Sequence, residues 1–292
     1  MASPDSVLSA DWLGASRRAA GKVRELLDAA ELTVDRRAET GSTGEGGDRT
    51  LVLDQGAEDA VFAELDAIHA EGHAFVAVSE ERGEILFGFD GPPPPDAVRV
   101  IIDPIDGSLN AKRGLPHHAL SIAVASGTTM ADVEFGFVYD FGPGEEWVAR
   151  RGEGVLLDGA PLPDRPSEHR SEDGRLEVVA IESADPRHLA RSGDLGDVAR
   201  RIRAIGAIAV SLCQVAGGRV DAMVSLWNSR AVDAAAGQLI VREAGGFVAF
   251  PAFDEDLAAP LDLEPHSPVI AALTPEALEQ LRTVPAPMAS RA

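Results

Sequence analysis

Apolar residues recur every three or four positions over residues 11–30, a spacing that predicts an amphipathic helix. A similar pattern predicts a second helix over about residues 56–70. Short apolar runs of strand length predict strands at 50–54, 74–78, 84–89, 98–102, 119–125, 132–139 and 146–150. Because these strands follow one another closely, we expect a large and mostly antiparallel sheet. The polar, glycine-rich stretch Glu39–Asp48 is typical of a mobile loop.

Strands and helices alternate in the second half of the chain, which indicates an α/β layer. The predicted strands are 176–181, 220–226, 247–250 and 269–273, and the predicted helices are 194–205, 208–216, 232–244 and one that starts at Thr274-Pro275-Glu276. The polar stretch 165–173 is the best candidate for a linker. We therefore expect two halves, residues 1–165 with α+β structure and residues 166–292 with α/β structure.

The composition is that of an ordinary globular protein: 292 residues, 45% hydrophobic and 25% charged. The formal charge of −22 argues against binding to nucleic acid or to an anionic membrane, which need a basic surface. One cysteine excludes an internal disulfide and a cysteine-based zinc site. No apolar run approaches the roughly 20 residues of a membrane span, and no signal-peptide pattern is evident, so we expect a cytoplasmic protein.

The segment Asp103–Asn110 carries the most distinctive chemistry in the sequence. It follows the predicted strand 98–102, and Pro104 prevents that strand from continuing regularly. The carboxylates of Asp103 and Asp106 repel each other unless a cation such as Mg²⁺ neutralises them. Gly107 allows backbone N–H groups to approach a phosphate. A metal and phosphate site is one interpretation; a hairpin with polar caps is the other, because Asp-Gly is a common hairpin signal.

Three further carboxylates lie at the ends of predicted elements. Each has a simple structural explanation: Glu80 as part of a solvated turn, Asp54 as a helix cap, and Asp233 as a complement to a helix dipole. However, Glu80, Asp103 and Asp106 all follow strands of one predicted sheet. Together the five side chains fit a site for two or three metal ions in a cleft between two layers.

These segments resemble the Mg²⁺-dependent inositol monophosphatase-like phosphatases, within the lithium-sensitive, fructose-bisphosphatase-type superfamily. Asp103–Asn110 is similar to the first family signature, Ser79-Glu80-Glu81 to an upstream acidic element, and residues 232–237 with 243–246 to the second signature. The similarity runs from about residue 11 to residue 273. The resemblance implies a layered αβαβα sandwich. The acidic element, Ser108 and Arg230 are closest in pattern to the archaeal-type branch that accepts both inositol monophosphate and fructose 1,6-bisphosphate.

The resemblance also implies roles for individual residues. The metal ligands are Glu80, Asp103, the Ile105 carbonyl, Asp106 and Asp233, which hold two or three Mg²⁺ ions. Asp54 lies near a weaker ion, and Gly107, Ser108 and Asp106 meet the substrate phosphate. Glu80 and Ser108 orient the water that attacks phosphorus. The first half of the chain thus carries most of the ligands, the second half carries Asp233, and a homodimer is expected.

Departures from the family pattern bear on the substrate. Ser108 stands where threonine is commoner, and Val232 replaces the usual tryptophan before Asp233. Ser225 aligns with a carboxylate of the inositol-specific members. We therefore expect hydrolysis of a small phosphate monoester, with inositol 1-phosphate and fructose 1,6-bisphosphate as the leading candidates. The alternatives are a phosphatase for 3′-phosphoadenosine 5′-phosphate or another nucleotide, and a catalytically silent protein that binds phosphorylated ligands. The complete acidic set and Ser108 argue against the silent protein.

Overall fold

The structure is a computed structural model that describes residues 7–30, 39–43, 49–162, 166–183, 185–192 and 195–285. Side chains are described for all of these except 39–43 and 49–52. None of the described helices is both long and apolar enough to cross a membrane.

Two helices cover the outer face of the first half. Helix α1 spans Trp12–Ala29, as the apolar spacing predicts, and the Asp11 carboxylate caps it by accepting the Gly14 N–H at 2.9 Å. Helix α2 spans Val52–Ala70, so it begins about four residues before its predicted start. The apolar faces of both helices pack against the first sheet, where the rings of Trp12 and Phe75 meet edge to face at 5.5 Å.

The first sheet contains eight strands in the order β10-β9-β8-β7-β6-β5-β3-β4. Their bounds are β3 Phe75–Ser79, β4 Gly83–Phe87, β5 Arg99–Asp106, β6 Ala119–Ala125, β7 Val133–Asp140, β8 Glu145–Arg150, β9 Gly154–Leu157 and β10 Ala160–Pro161. All neighbouring pairs are antiparallel except β3 and β5, which run parallel. A large, mostly antiparallel sheet is therefore confirmed. The hairpin of β9 and β10 was absent from the sequence prediction.

The second sheet contains five strands in the order β12-β11-β13-β15-β14. Its strands are β11 Leu176–Glu182, β12 Ala199–Arg203, β13 Ala222–Ser225, β14 Phe247–Ala249 and β15 Ile270–Ala272. The described residues also form the α-helices α3 Ser108–Arg113, α4 Pro186–Leu189, α5 Leu195–Val198, α6 Ile208–Ala216, α7 Ala231–Glu243 and α8 Pro275–Leu281, and a short 3₁₀ helix at Met130–Asp132. Strands β11, β12 and β13 are mutually parallel, while β15 is antiparallel to β13 and β14, which fits the predicted α/β layer.

Helices α6 and α7 lie between the two sheets, and their apolar side chains form one core with both. Helix α8 packs on the far face of the second sheet. The order of layers is therefore αβαβα, as the resemblance implies. Helix α7 approaches strand β7 closely: a Cβ on Gly136 would lie 2.8 Å from the Ala236 carbonyl oxygen. The domain boundary near residue 165 stays a prediction.

Three predicted elements are wrong. Residues 39–43 form strand β1, which pairs with β2 (Arg49–Leu51), whereas a loop was expected; residues 44–48 lie outside the described part. The predicted strand 50–54 gives way to helix α2 at Val52. The predicted helix 194–205 is the short helix α5 followed by strand β12, and residue 194 lies outside the described part. Here pairing with β11 outweighs a local apolar spacing that suits a helix.

Candidate active site

Strand β5 ends in a bulge that places two carboxylates at one end of the first sheet. Asp103 lies opposite Ser121 and Asp106 lies opposite Ala119, so three steps along β5 match two steps along β6. The Asp103 Oδ1 atom accepts the Ile105 N–H at 3.0 Å, which fixes the chain across Pro104. The strand thus continues four residues beyond its predicted end, through this irregularity.

Gly107 makes the turn from strand β5 into helix α3. Its φ of +80° is in the left-handed region that favours glycine. A Cβ on it would lie 3.0 Å from the Ala207 Cβ and from the carbonyl oxygens of Gly206 and His117. Ser108 follows as the first residue of α3, so the hydroxyl lies directly after the two carboxylates.

Asp106 joins the first half of the site to helix α6. Its Oδ1 atom accepts the Ile208 N–H at 3.2 Å, and its Oδ2 atom accepts the Ala209 N–H at 2.7 Å. Burial raises the pKa of Asp106 well above its usual range, and the charges of Asp233 and Glu182 add to this effect. The two N–H groups act in the opposite direction, because they stabilise the ionised carboxylate.

Arg230, the residue before helix α7, bridges two of the other carboxylates. Its Nη1 atom donates to Glu80 Oε1 at 2.8 Å, and its Nη2 atom donates to Asp233 Oδ1 at 3.0 Å. Its backbone N–H also donates to Asp233 Oδ2 at 2.7 Å. Asp233 lies in the first turn of α7, as predicted. The end of β3 and the start of α7 therefore meet at a guanidinium group.

The acidic side chains are close enough to disturb one another. Burial raises the pKa of Asp103 well above its usual range, and Glu80, Asp106 and Asp233 raise it further. Burial also raises the pKa of Glu80, although Arg230 opposes this shift. The single positive charge of the Arg230 guanidinium cannot neutralise these four carboxylates. The cluster of carboxylates is therefore suited to bind hard cations that accept oxygen ligands. The donor set therefore fits Mg²⁺ chemically.

A coordination shell is not already assembled in the described part of the chain, where no three acidic, histidine or cysteine side chains surround one point. The hydrogen bonds explain this. Arg230 holds Glu80 and Asp233, while backbone N–H groups hold both oxygens of Asp106. The carboxylates lie close together, but several of their oxygens already accept hydrogen bonds from Arg230 or from backbone N–H groups.

Two neighbouring clefts expose the candidate residues. The first is lined by Asp54, Glu80, Glu81, Pro104, Ile105, Ser108 and Lys112. The second, of about 420 Å³, is lined by Asp106, Asn110, Glu182, Ser183, residues 204–208, Arg230 and Asp233. The ion pair between Arg230 and Glu80 connects them. All the side chains singled out in the sequence thus lie in or beside one region; their roles as ligands, catalytic groups and phosphate contacts stay predictions.

Glu182 and Asn110 belong to the same region but were not singled out. Glu182 accepts the Gly206 N–H at 3.1 Å and the Ser211 hydroxyl at 2.5 Å, and burial raises its pKa to about 7. The Asn110 Nδ2 atom donates to the Ile205 and His117 carbonyls at 2.8 and 2.9 Å. Glu182 is the last residue of a buried strand, and Glu80 directly follows another. A carboxylate at the end of a predicted strand was the signal that identified Glu80, and it could have identified Glu182 as well.

Glu58 lies one turn after Asp54 on helix α2, behind the candidate site, and gives a prediction on stability. It is 1% exposed, its Oε1 atom accepts the Ser79 hydroxyl at 2.6 Å, and its Oε2 atom has no hydrogen-bond partner among the described residues. Burial raises its pKa from 4.5 to about 7. Because the carboxyl pKa is higher in the folded protein than in the unfolded chain, the free energy of unfolding decreases as the pH rises from 4.5 to about 7. We expect Glu58→Gln to increase the free energy of unfolding by about 3 kcal/mol at pH 8 and to leave it unchanged near pH 4.

The matched control is Glu64→Gln on the same helix. Burial raises the pKa of Glu64, but hydrogen bonds from Lys22 and Arg18, both at 2.7 Å, outweigh burial and lower it. This group therefore contributes stability above its unfolded pKa and loses it as the pH falls. Urea unfolding of both variants from pH 4 to pH 8 measures the two effects. Equal stability of Glu58→Gln and the wild type at pH 8 would contradict the prediction.

Comparison with known proteins identifies the relatives of this chain. A family model described as the inositol monophosphatase family matches residues 6–285. The chain belongs to this family. A fructose-1,6-bisphosphatase/inositol-1-monophosphatase of Methanothermobacter thermautotrophicus is 32% identical over 244 residues, which are 81% of this chain and 83% of the relative. The Nus factor SuhB of Escherichia coli K12 is 35% identical over 201 residues, 67% of this chain and 69% of the relative.

Solved structures agree with this assignment. A hypothetical protein from Pyrococcus horikoshii, described as having similarities to inositol-1 monophosphatase, matches with a TM-score of 0.71 at 26% identity. The match covers 92% of this chain and 97% of the other. The resemblance in the sequence is thus confirmed, and with it the αβαβα fold. As a member of the inositol monophosphatase family, the protein is a phosphoric monoester hydrolase.

Proposed function

We propose that the protein is a Mg²⁺-dependent phosphatase for small sugar or polyol phosphates, with inositol 1-phosphate and fructose 1,6-bisphosphate as the leading substrates. The observation that carries this proposal is the meeting of Glu80, Asp103, Asp106 and Asp233 from distant parts of the chain. Burial raises the pKa of Asp103 well above its usual range, and the neighbouring charges of Glu80, Asp106 and Asp233 raise it further, which supports the proposal. The archaeal relative at 32% identity, whose name includes both activities, supports the same substrate class.

Each residue of the site has a proposed role. Glu80, Asp103, Asp106, Asp233 and the Ile105 carbonyl would hold the ions, and Asp54 would lie near a further, weaker ion. When bound, Mg²⁺ supplies charge neutralisation for the phosphate and lowers the pKa of water. Gly107 and Ser108 bind the phosphate, and Glu80 and Ser108 orient the attacking water. This chemistry depends mainly on positioning and electrostatic stabilisation.

In this chain a serine replaces the carboxylate of the inositol-specific members, and this change bears on the substrate range. Ser225, which stands in place of that carboxylate, is fully buried and donates to the Trp227 carbonyl at 2.6 Å. Its hydroxyl also lies 3.3 Å from that of Ser183, which lines the cleft. This arrangement favours a broad sugar-phosphate substrate range over inositol phosphate alone. A cytoplasmic location and a homodimer complete the proposal.

Phosphate release from a substrate panel tests it. The panel contains inositol 1-phosphate, fructose 1,6-bisphosphate and 3′-phosphoadenosine 5′-phosphate, each assayed with Mg²⁺ and after treatment with a chelator. We expect Mg²⁺-dependent release from the first two substrates and little from the third. Preference for the nucleotide would replace the sugar-phosphate assignment with the nucleotide alternative. Binding of these ligands without turnover would favour the silent protein.

A further inference from the structure

We propose that Arg230 is an internal counter-cation that holds the metal site closed in the metal-free protein and must leave Glu80 and Asp233 when Mg²⁺ binds. This inference rests on the proposed function, because it concerns the same carboxylates. It assigns to Arg230 a regulatory role: it sets how tightly the site takes up metal.

The hydrogen bonds of Arg230 cover the oxygens that a shared metal ion needs. Both oxygens of Asp233 accept from Arg230, one from the guanidinium and one from the backbone N–H. One oxygen of Glu80 accepts from the other guanidinium nitrogen. The guanidinium therefore lies between two carboxylates that come from positions 80 and 233 of the chain. A planar guanidinium is well suited to bridge two carboxylates in this way.

A metal ion bound to these oxygens of Glu80 and Asp233 would repel the guanidinium. Mg²⁺ binds carboxylate oxygens at about 2 Å. An ion held by the same oxygens would lie within roughly 5 Å of the guanidinium, since those oxygens are 2.8 and 3.0 Å from its nitrogens. Like charges this close repel, and burial strengthens the repulsion. Metal binding is therefore favoured when Arg230 moves away.

The second cleft provides the place to which Arg230 can move. It has a volume of about 420 Å³ and is lined by Arg230 itself together with Asp106 and Asp233. The side chain of Arg230 is 20% exposed, so its guanidinium already borders this space. In the cleft it would face the phosphorylated substrate, and release from the carboxylates would add a positive group to an otherwise acidic region. Metal binding and phosphate binding are then coupled through one side chain.

Binding of Mn²⁺, followed by electron paramagnetic resonance on the metal-depleted full-length protein, tests the inference. We expect Arg230→Gln to lower the Kd for Mn²⁺ by about tenfold or more, because the competing cation is removed. We also expect the metal-free variant to melt at a lower temperature than the wild type, because its carboxylates lose their counter-charge. Inorganic phosphate should increase the Mn²⁺ affinity of the wild type more than that of the variant.

Two further variants complete the experiment. Arg230→Lys keeps the charge but lacks the planar fork, so its Kd should fall between those of Arg230→Gln and the wild type. Arg242→Gln removes a charge near the other end of the same helix and should leave the Kd unchanged. Unchanged or weaker Mn²⁺ binding by Arg230→Gln would overturn the inference while leaving the phosphatase assignment intact. Absence of Mn²⁺ binding to the wild type would overturn the metal-dependent function itself.

Discussion

Replacement of Asp103 by asparagine is expected to reduce Mg²⁺-dependent phosphate release by roughly a thousandfold, the equivalent of about 4 kcal/mol in the activation barrier. Asp103 is 2% exposed and lies among Glu80, Asp106 and Asp233. Asparagine keeps the shape of the side chain and can still accept the Ile105 N–H, but it removes one of the charges that attract metal. Steady-state kinetics at saturating Mg²⁺, on the substrate with the highest activity, measures the loss.

The stability of the metal-free protein distinguishes a lost ligand from a lost fold. Because the pKa of Asp103 is raised in the folded protein, ionisation of this side chain lowers the free energy of unfolding as the pH rises. Asp103→Asn should therefore be more stable than the wild type at pH 8 in the presence of a chelator. Asp106→Asn is the matched comparison. Burial raises the pKa of Asp106 as well, but both of its oxygens accept backbone N–H groups, and an amide would place a donor against one of them. We therefore expect Asp106→Asn to be less stable than Asp103→Asn. A thermal unfolding curve in which Asp103→Asn is destabilised as much as Asp106→Asn would contradict this assignment.

The sequence predicted best where local pattern and tertiary packing agree. Helix α6 has the bounds that were predicted, Ile208–Ala216, because its apolar side chains face both sheets and Gly217-Gly218 ends it. Strand β12 was missed because residues 195, 198 and 202 have helical spacing. That spacing is local, whereas the strand is defined by hydrogen bonds to β11. Short apolar runs do not carry this information about their partners.

The candidate site shows the same limit. Asp103, Asp106, Gly107 and Ser108 lie within six residues of one another, so their chemistry could be read from one segment. The contact of Arg230 with Glu80 joins residues 150 positions apart, and no local pattern encodes it. Glu182 likewise acts on residues 205–211 through space. Contacts between residues far apart in the sequence determine which charges are neutralised inside the protein. They can be identified only from the folded structure.

Gly107→Ala is expected to reduce both stability and turnover. A left-handed φ of +80° costs a residue with a Cβ roughly 1–2 kcal/mol. The added carbon would also lie 3.0 Å from two backbone carbonyl oxygens, which cannot move without shifting the chain around them. We expect a total loss of about 3 kcal/mol in the free energy of unfolding. Because Gly107 lies between Asp106 and Ser108, a shift of about 1 Å there should lower kcat by roughly a hundredfold.

Gly114→Ala, at the other end of helix α3, separates the two causes. Gly114 has a left-handed φ of +67°, but a Cβ there would have no neighbour within 4 Å among the described residues. This variant should therefore lose only about 1 kcal/mol of stability, from the backbone conformation alone, and keep its kcat. Urea unfolding and kinetics on both variants give the comparison. Equal losses in the two variants would show that the close approach of Gly107 to Gly206 and His117 does not position the catalytic segment; a loss of kcat confined to Gly107→Ala would show that it does.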